Sequence, residues 1–212
     1  LSNRVRRELH REVGRLQDEV MELLYSLDSR FVLHGGTALW RCYGGGRFSE
    51  DIDLYFTAKL TAALEEKIRA AVSARGLELL KFKDTGNAVF AKIASPETEI
   101  RVEISHGRKA SGIAVPFEKM DGTTMIVLAL SKKALLLEKA AAYASRRLVR
   151  DLYDVFFLAA QVDTDDDVRK AVSAVVNEFR KPLDEGNLEA IVLSGAVPSV
   201  EQMVGYLKAK VA

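Results

Sequence analysis

His34-Gly35-Gly36-Thr37-Ala38-Leu39, followed by Arg47-Phe48-Ser49-Glu50-Asp51-Ile52-Asp53-Leu54, is the stretch on which the reading of this 212-residue chain turns. Phe31–His34 is a short apolar run that reads as a strand, and the glycine pair breaks it. Residues 37–43 read as a helix beginning at that break, and 52–56 as a second strand. In a strand, residues i and i+2 project from one face. Asp51 and Asp53 therefore point together, while Ile52 and Leu54 turn toward a core. Two neighbouring carboxylates repel unless a positive charge sits between them. A divalent cation supplies that charge, and Mg²⁺ favours a few carboxylates plus substrate phosphates and water over an all-protein cage. A plain acidic turn has the same local sequence.

The glycines shift the balance. At a strand-to-helix turn they let a phosphate approach the backbone, and the helix N-terminus offers it free N–H groups. The Thr37 hydroxyl can donate to the same phosphate. Alone, Gly35-Gly36-Thr37 is an ordinary turn. With Asp51-Ile52-Asp53 fourteen residues further on, it sets a phosphate cradle opposite a metal-binding pair. A third carboxylate is expected on a neighbouring strand. In Glu99-Ile100-Arg101-Val102-Glu103-Ile104-Ser105, the apolar residues alternate cleanly with polar ones. Glu103 is the candidate third ligand or base, although a half-wet antiparallel face gives the same alternation. Arg47 stands where it can reach a phosphate or clamp Glu50 or Asp51. Trp40, Cys42 and Phe48 read as packing residues.

Outward from this stretch, residues 3–28 carry a helical repeat of Leu9, Val13, Leu16, Val20, Leu23 and Leu24. Residues 61–75 read as a helix ended by Gly76. Alternating segments at 77–83, 87–94, 98–105, 113–118 and 123–127, separated by turn signals, read as antiparallel strands. Helical pattern returns at 131–147, 150–161, 164–180, 187–193 and 199–210, with Ser131 and Ser199 as N-caps. The fold expected is α+β: a small mixed, mostly antiparallel sheet flanked by helices, then a C-terminal helical bundle. The expected division is 1–129, the N-terminal helix and α/β core, and 130–212, a helical region.

The helical region holds a second cluster. Lys139 lies within Leu135-Leu136-Leu137-Glu138-Lys139-Ala140-Ala141-Ala142, so it is expected to be partly buried, and a buried ammonium needs an anionic partner. Asp151 and Asp154, three apart on one helix face, can supply it. So can the triphosphate of a bound nucleotide.

Taken together, the glycine motif, the Asp51/Asp53 motif, Lys139 and Arg150-Asp151-Leu152-Tyr153-Asp154 resemble the signature of the AbiEii/AbiGii-type toxin family, within the polymerase-β-like nucleotidyltransferase superfamily. The matches run through residues 31–160 in the family's order. The superfamily's usual Gly-Ser is Gly36-Thr37 here. The resemblance implies a Mg²⁺-dependent nucleotidyltransferase using an NTP and releasing pyrophosphate. Asp51, Asp53 and Glu103 would serve the metal, and Lys139 and Asp151 the chemistry. Gly35, Gly36, Thr37, Arg47 and Asp154 would hold the nucleotide. It also implies a tRNA 3′ end or a protein hydroxyl as acceptor, and a cognate antitoxin. The alternatives are a non-catalytic nucleotide-binding or interaction module and a housekeeping transferase without toxicity.

Composition bounds these readings. Apolar residues make up 48% and charged residues 29%, a globular profile. A formal charge of +1 excludes a protein that coats nucleic acid by bulk charge. Any polyanion needs a local patch; Arg4, Arg6, Arg7, Arg11 and Arg15 form one candidate, and Arg146, Arg147 and Arg150 another. The single cysteine, Cys42, allows no disulfide framework or zinc cluster and suits a reducing compartment. No apolar run approaches membrane-spanning length, and the charged start lacks a signal-peptide core. A cytoplasmic protein is expected.

Overall fold

A computed structural model describes residues 8–107 and 110–212. Arg4, Arg6 and Arg7 of the first basic candidate lie outside the described residues. The chain divides into two compact units, Leu1–Cys42 with Phe48–Leu130, and Tyr43–Arg47 with Ser131–Ala212.

In the first unit the strands are β1 (Phe31–His34), β2 (Ile52–Phe56), β3 (Glu78–Asp84), β4 (Ala88–Ala94), β5 (Glu99–His106), β6 (Ile113–Glu118) and β7 (Thr124–Ala129). Among the described residues they form one seven-stranded sheet, ordered β3-β4-β5-β2-β1-β7-β6. The sheet is mixed, as expected, but it is larger than the small one expected and not mostly antiparallel. The ladders β1·β7 and β2·β5 are parallel, and both lie at its centre. The hairpins β3·β4, β4·β5 and β6·β7 are the antiparallel part visible in sequence. Parallel ladders join segments far apart in the chain and leave no turn signal between them.

Helix α1 (Glu8–Leu27) packs across the sheet near β5 and beside α3 (Ala62–Ala74). Its repeat does what its spacing predicts: Val13, Leu16, Val20, Leu23 and Leu24 are buried, and Leu9 is exposed. The Tyr25 hydroxyl donates to the Phe31 carbonyl at 2.6 Å and accepts from the Leu128 amide at 3.0 Å, tying α1 to the parallel β1·β7 ladder. Arg41 is buried in α2 (Gly35–Tyr43), against the rings of Trp40 and Phe117 and paired with Asp18. It also donates to the Glu118 carbonyl at 2.7 Å, so every edge of the guanidinium meets an acceptor or a ring.

The second unit comprises α4 (Lys132–Arg146), α5 (Val149–Ala159), α6 (Asp166–Asn177), α7 (Leu188–Ile191) and α8 (Val200–Val211). Helix α4 packs on α5 and α6, and α8 on α5 and α6. Ser131 and Ser199 cap α4 and α8 by accepting from Ala134 and Gln202 amides, and Gln202 closes a capping box. The glycine loop belongs to this unit. Leu193 donates to the Gly46 carbonyl at 2.8 Å, and a Cβ on Gly46 would press on the Tyr153 hydroxyl. Among the described residues, no helix is long and apolar enough to cross a membrane.

Candidate active site

The strand-to-helix turn after β1 is sharper than the sequence suggests, because α2 starts at Gly35 itself. Gly35 has φ +71°, a conformation side chains rarely adopt, and a Cβ there would collide with the Asp53 carboxylate. The backbone at the mouth of α2 therefore touches the second aspartate of the acidic motif. The first turn of α2 lies at the same point, and a helix leaves the N–H groups of its first turn without intrahelical partners. Thr37 is fully buried, and its hydroxyl donates to the Asp51 carbonyl at 2.5 Å. It fixes the entry to β2 and so ties the glycine turn to the aspartates.

Strand β2 alternates as read: Ile52, Leu54 and Phe56 are buried, while Asp53 and Tyr55 stay half-buried on the other face. Strand β5 alternates likewise, with Ile100, Val102 and Ile104 buried and Glu103 half-buried. The parallel register places Asp53 opposite Glu103, and His34 opposite Asp53 on the other flank. His34 stacks flat on Tyr55, with ring centroids 3.8 Å apart. Asp51, Asp53 and Glu103 line one pocket of about 370 Å³, together with Lys81, Phe90, Lys92 and Arg101.

Arg101 is the residue sequence reasoning missed. Its Nε lies 2.9 Å from Asp51 Oδ1 and its Nη2 3.1 Å from Oδ2. These hydrogen bonds push the guanidinium further above its ordinary value. The alternation of β5 puts Arg101 on the face of Glu103, but only the β2·β5 register brings it to Asp51. Among the described residues, no three His, Cys, Asp or Glu side chains converge as a ready-made metal cage. The donor set is nonetheless one of hard carboxylate oxygens, half-exposed on adjacent strands beside a helix N-terminus. That fits a cation which takes few protein ligands and completes its shell with phosphate and water.

The second cluster has the opposite character. Asp151 and Asp154 are fully buried. Arg47 grips Asp154 with both prongs, Nε and Nη2 each 2.6 Å from a carboxylate oxygen. Lys139 Nζ lies 3.0 Å from Asp154 and 3.6 Å from Asp151, and Arg146 forms a bidentate pair with Asp151 at 2.6 and 2.7 Å. Burial alone would raise the Asp154 pKa, yet Arg47 and then Lys139 hold it below the usual carboxylate range. Burial likewise works against the charge on Arg47, and Asp154 outweighs it, raising the guanidinium. Arg47 is thus held by Asp154, a partner its place before the acidic motif does not announce. Of the second basic candidate, Arg146 is held by Asp151, and Arg147 donates to the Lys181 carbonyl at 2.6 Å. Arg15 pairs with Glu12 at 2.7 Å. Trp40 and Phe48 are buried edge to face, and burial pushes the Cys42 thiol up to about 12, so it is an inert packing group.

Several solved structures share this fold at low identity. JHP933 from Helicobacter pylori matches with a TM-score of 0.70 and 21% identity, over 97% of this chain and 91% of that one. MenT4, a nucleotidyltransferase toxin from Mycobacterium tuberculosis, matches with a TM-score of 0.62 and 20% identity, over 94% and 82%. No curated protein matches the chain significantly. A family model described as nucleotidyl transferase AbiEii toxin, type IV toxin–antitoxin system, matches residues 22–200. This match spans both the glycine–aspartate site and the buried lysine cluster, and the chain belongs to the AbiEii family of nucleotidyltransferase toxins.

Proposed function

We propose that Asp51 and Asp53 are the catalytic carboxylates of an NTP-dependent transfer to an RNA 3′ end, tRNA first, or to a protein hydroxyl. The observation that carries this reading is the contact between Gly35 and Asp53, which joins a helix N-terminus to a half-exposed carboxylate pair. Asp51 and Asp53 would hold Mg²⁺, which when bound neutralises the triphosphate and stabilises the departing pyrophosphate. The backbone N–H groups at Gly35 and Gly36 cradle the β- and γ-phosphates. Thr37 holds the cradle and β2 in register through the Asp51 carbonyl. Glu103, opposite Asp53, accepts the proton of the attacking hydroxyl or serves as a third ligand. The acceptor oxygen attacks the α-phosphorus in line as the bond to the β-phosphate oxygen breaks, so positioning and electrostatics carry the rate.

Asp151, Asp154 and Arg47 act as positioning groups that hold Lys139. Lys139, held 3.0 Å from Asp154, is the cation we assign to the charge of the triphosphate. A cognate antitoxin belongs to this reading, as does action in the cytoplasm.

Titration calorimetry with a non-hydrolysable NTP tests it. Wild type should bind far more tightly with Mg²⁺ than with EDTA, and Asp51→Asn/Asp53→Asn should bind weakly and without that difference. Equal, Mg²⁺-independent binding by both proteins would overturn the assignment and favour a bare nucleotide-binding module.

A further inference from the structure

Two neighbouring cross-strand rows run over the open face of the sheet. In the first, Lys81 of β3 faces Lys92 of β4, Lys92 faces Arg101 of β5, and the adjacent register brings Arg101 to Asp51. In the second, Lys83 faces Phe90, Phe90 faces Glu103, and Glu103 faces Asp53. Like charges directly opposite one another destabilise a sheet. Here three cations stand side by side, and Glu99 on Lys92 at 2.6 Å and Asp51 on Arg101 offset only two of them. Phe90 is 39% exposed in the middle of this basic field, on the wall of the pocket that holds the aspartates. A ring this exposed among lysines lies outside the apolar core. It is the arrangement that binds a single polynucleotide strand, with a base on the ring and phosphates on the cations.

Strand order separates this face from the phosphate cradle. The phosphate cradle lies at β1 and α2, on one side of β2, whereas Phe90 and Lys81 lie beyond β5 on the other. At about 4.8 Å per strand, β3 is roughly 14 Å from β2. In-line displacement requires the attacking hydroxyl and the leaving pyrophosphate on opposite sides of the α-phosphorus. Resting on the transferase reading above, we propose that the β3–β4 face is the acceptor subsite. Phe90 stacks the terminal base of a single-stranded RNA, Lys81 and Lys92 hold its backbone, and its 3′ hydroxyl is delivered to Glu103 and the aspartates.

The test is fluorescence anisotropy of a 5′-labelled single-stranded RNA with the full chain in EDTA, beside calorimetry of Mg²⁺ and NTP on the same proteins. Phe90→Ala should weaken RNA binding roughly 5- to 150-fold, the span for losing one stacked base. Phe90→Trp should retain it, and NTP affinity should stay within twofold for both. Lys81→Ala/Lys92→Ala should lower the slope of log affinity against log salt by about 1.4. RNA affinity of Phe90→Ala within twofold of wild type overturns the proposal. So does an equal loss of NTP affinity, which would make Phe90 the platform for the incoming nucleotide. Wild type that binds Mg²⁺ and NTP but no RNA overturns it as well and leaves the transferase reading standing, with a protein hydroxyl as acceptor. Loss of that reading would show separately, as Mg²⁺-independent NTP binding.

Discussion

In the sheet unit, Asp51 keeps 31% of its side-chain surface in water, and its ion-pair partner, Arg101, is 71% exposed. In the helical unit, Asp154 keeps none, and its partners Arg47 and Lys139 are 5% and 8% exposed. The same side chain meets two dielectric settings. A carboxylate in water pairs weakly and exchanges its partner readily. A dry carboxylate is bound to its partners by the cost of stranding any of them. The open cluster can therefore hand its charge to a ligand, while the closed one fixes helices and holds a lysine. Titratable residues at motif spacing do not by themselves separate these roles; burial does.

Substitutions can break this contrast. The largest effect is expected at the open pair: Asp53→Asn should lower transfer at least about 1,000-fold, or ~4 kcal/mol of transition-state stabilisation. Its melting temperature should stay level or rise, because a like-charge repulsion is relieved. Label-transfer rates and calorimetry read both, and activity within tenfold of wild type would remove Asp53 from the chemistry.

At the closed pair the expectation inverts. Asp154→Ala should cost about 3–5 kcal/mol of stability in urea unfolding, because buried Arg47 loses its bidentate partner and Lys139 the nearer of its two carboxylates. Arg47→Met/Asp154→Leu should recover much of that loss; equal destabilisation by the single and double variants would contradict the brace. The Asp154 pKa is depressed from 3.8, so the pair's contribution is complete above pH 3.8 and is lost as pH falls through the folded-state value. Asp154→Asn should flatten the acid limb of the stability profile.

Gly35→Ala sits between the two. A side chain at φ +71° costs about 1–2 kcal/mol, and its methyl group displaces the Asp53 carboxylate. Mg²⁺-dependent NTP affinity should fall more than stability does. The smallest effect is expected for Arg101→Gln. An exposed pair contributes less than about 1 kcal/mol to stability, so thermal unfolding should barely move. A drop of several kcal/mol there would show that the open cluster is structural after all.

Local pattern carries much of this molecule into its sequence. The α1 repeat, the serine caps of α4 and α8, and the alternation in β2 and β5 each depend on neighbours a few residues away. The two faces of β2 follow from its alternation alone. What pairs with what does not. The parallel ladders β1·β7 and β2·β5 connect distant segments, and with them go the Arg101–Asp51 contact and the pairing of Glu103 with Asp53. Arg47 is the clearest case. Its position before the acidic motif suggests a partner three or four residues on, yet it pairs with Asp154, 107 residues away. The glycine loop around it belongs to the helical unit, a placement set by the Gly46–Tyr153 approach and by no local signal.

The most direct test of the open cluster as the catalytic centre is incubation with total tRNA, Mg²⁺ and each α-³²P-labelled NTP, wild type beside Asp51→Asn/Asp53→Asn. Label carried to tRNA by wild type alone is the predicted result. Equal labelling by the variant would contradict it and place the chemistry elsewhere in the chain.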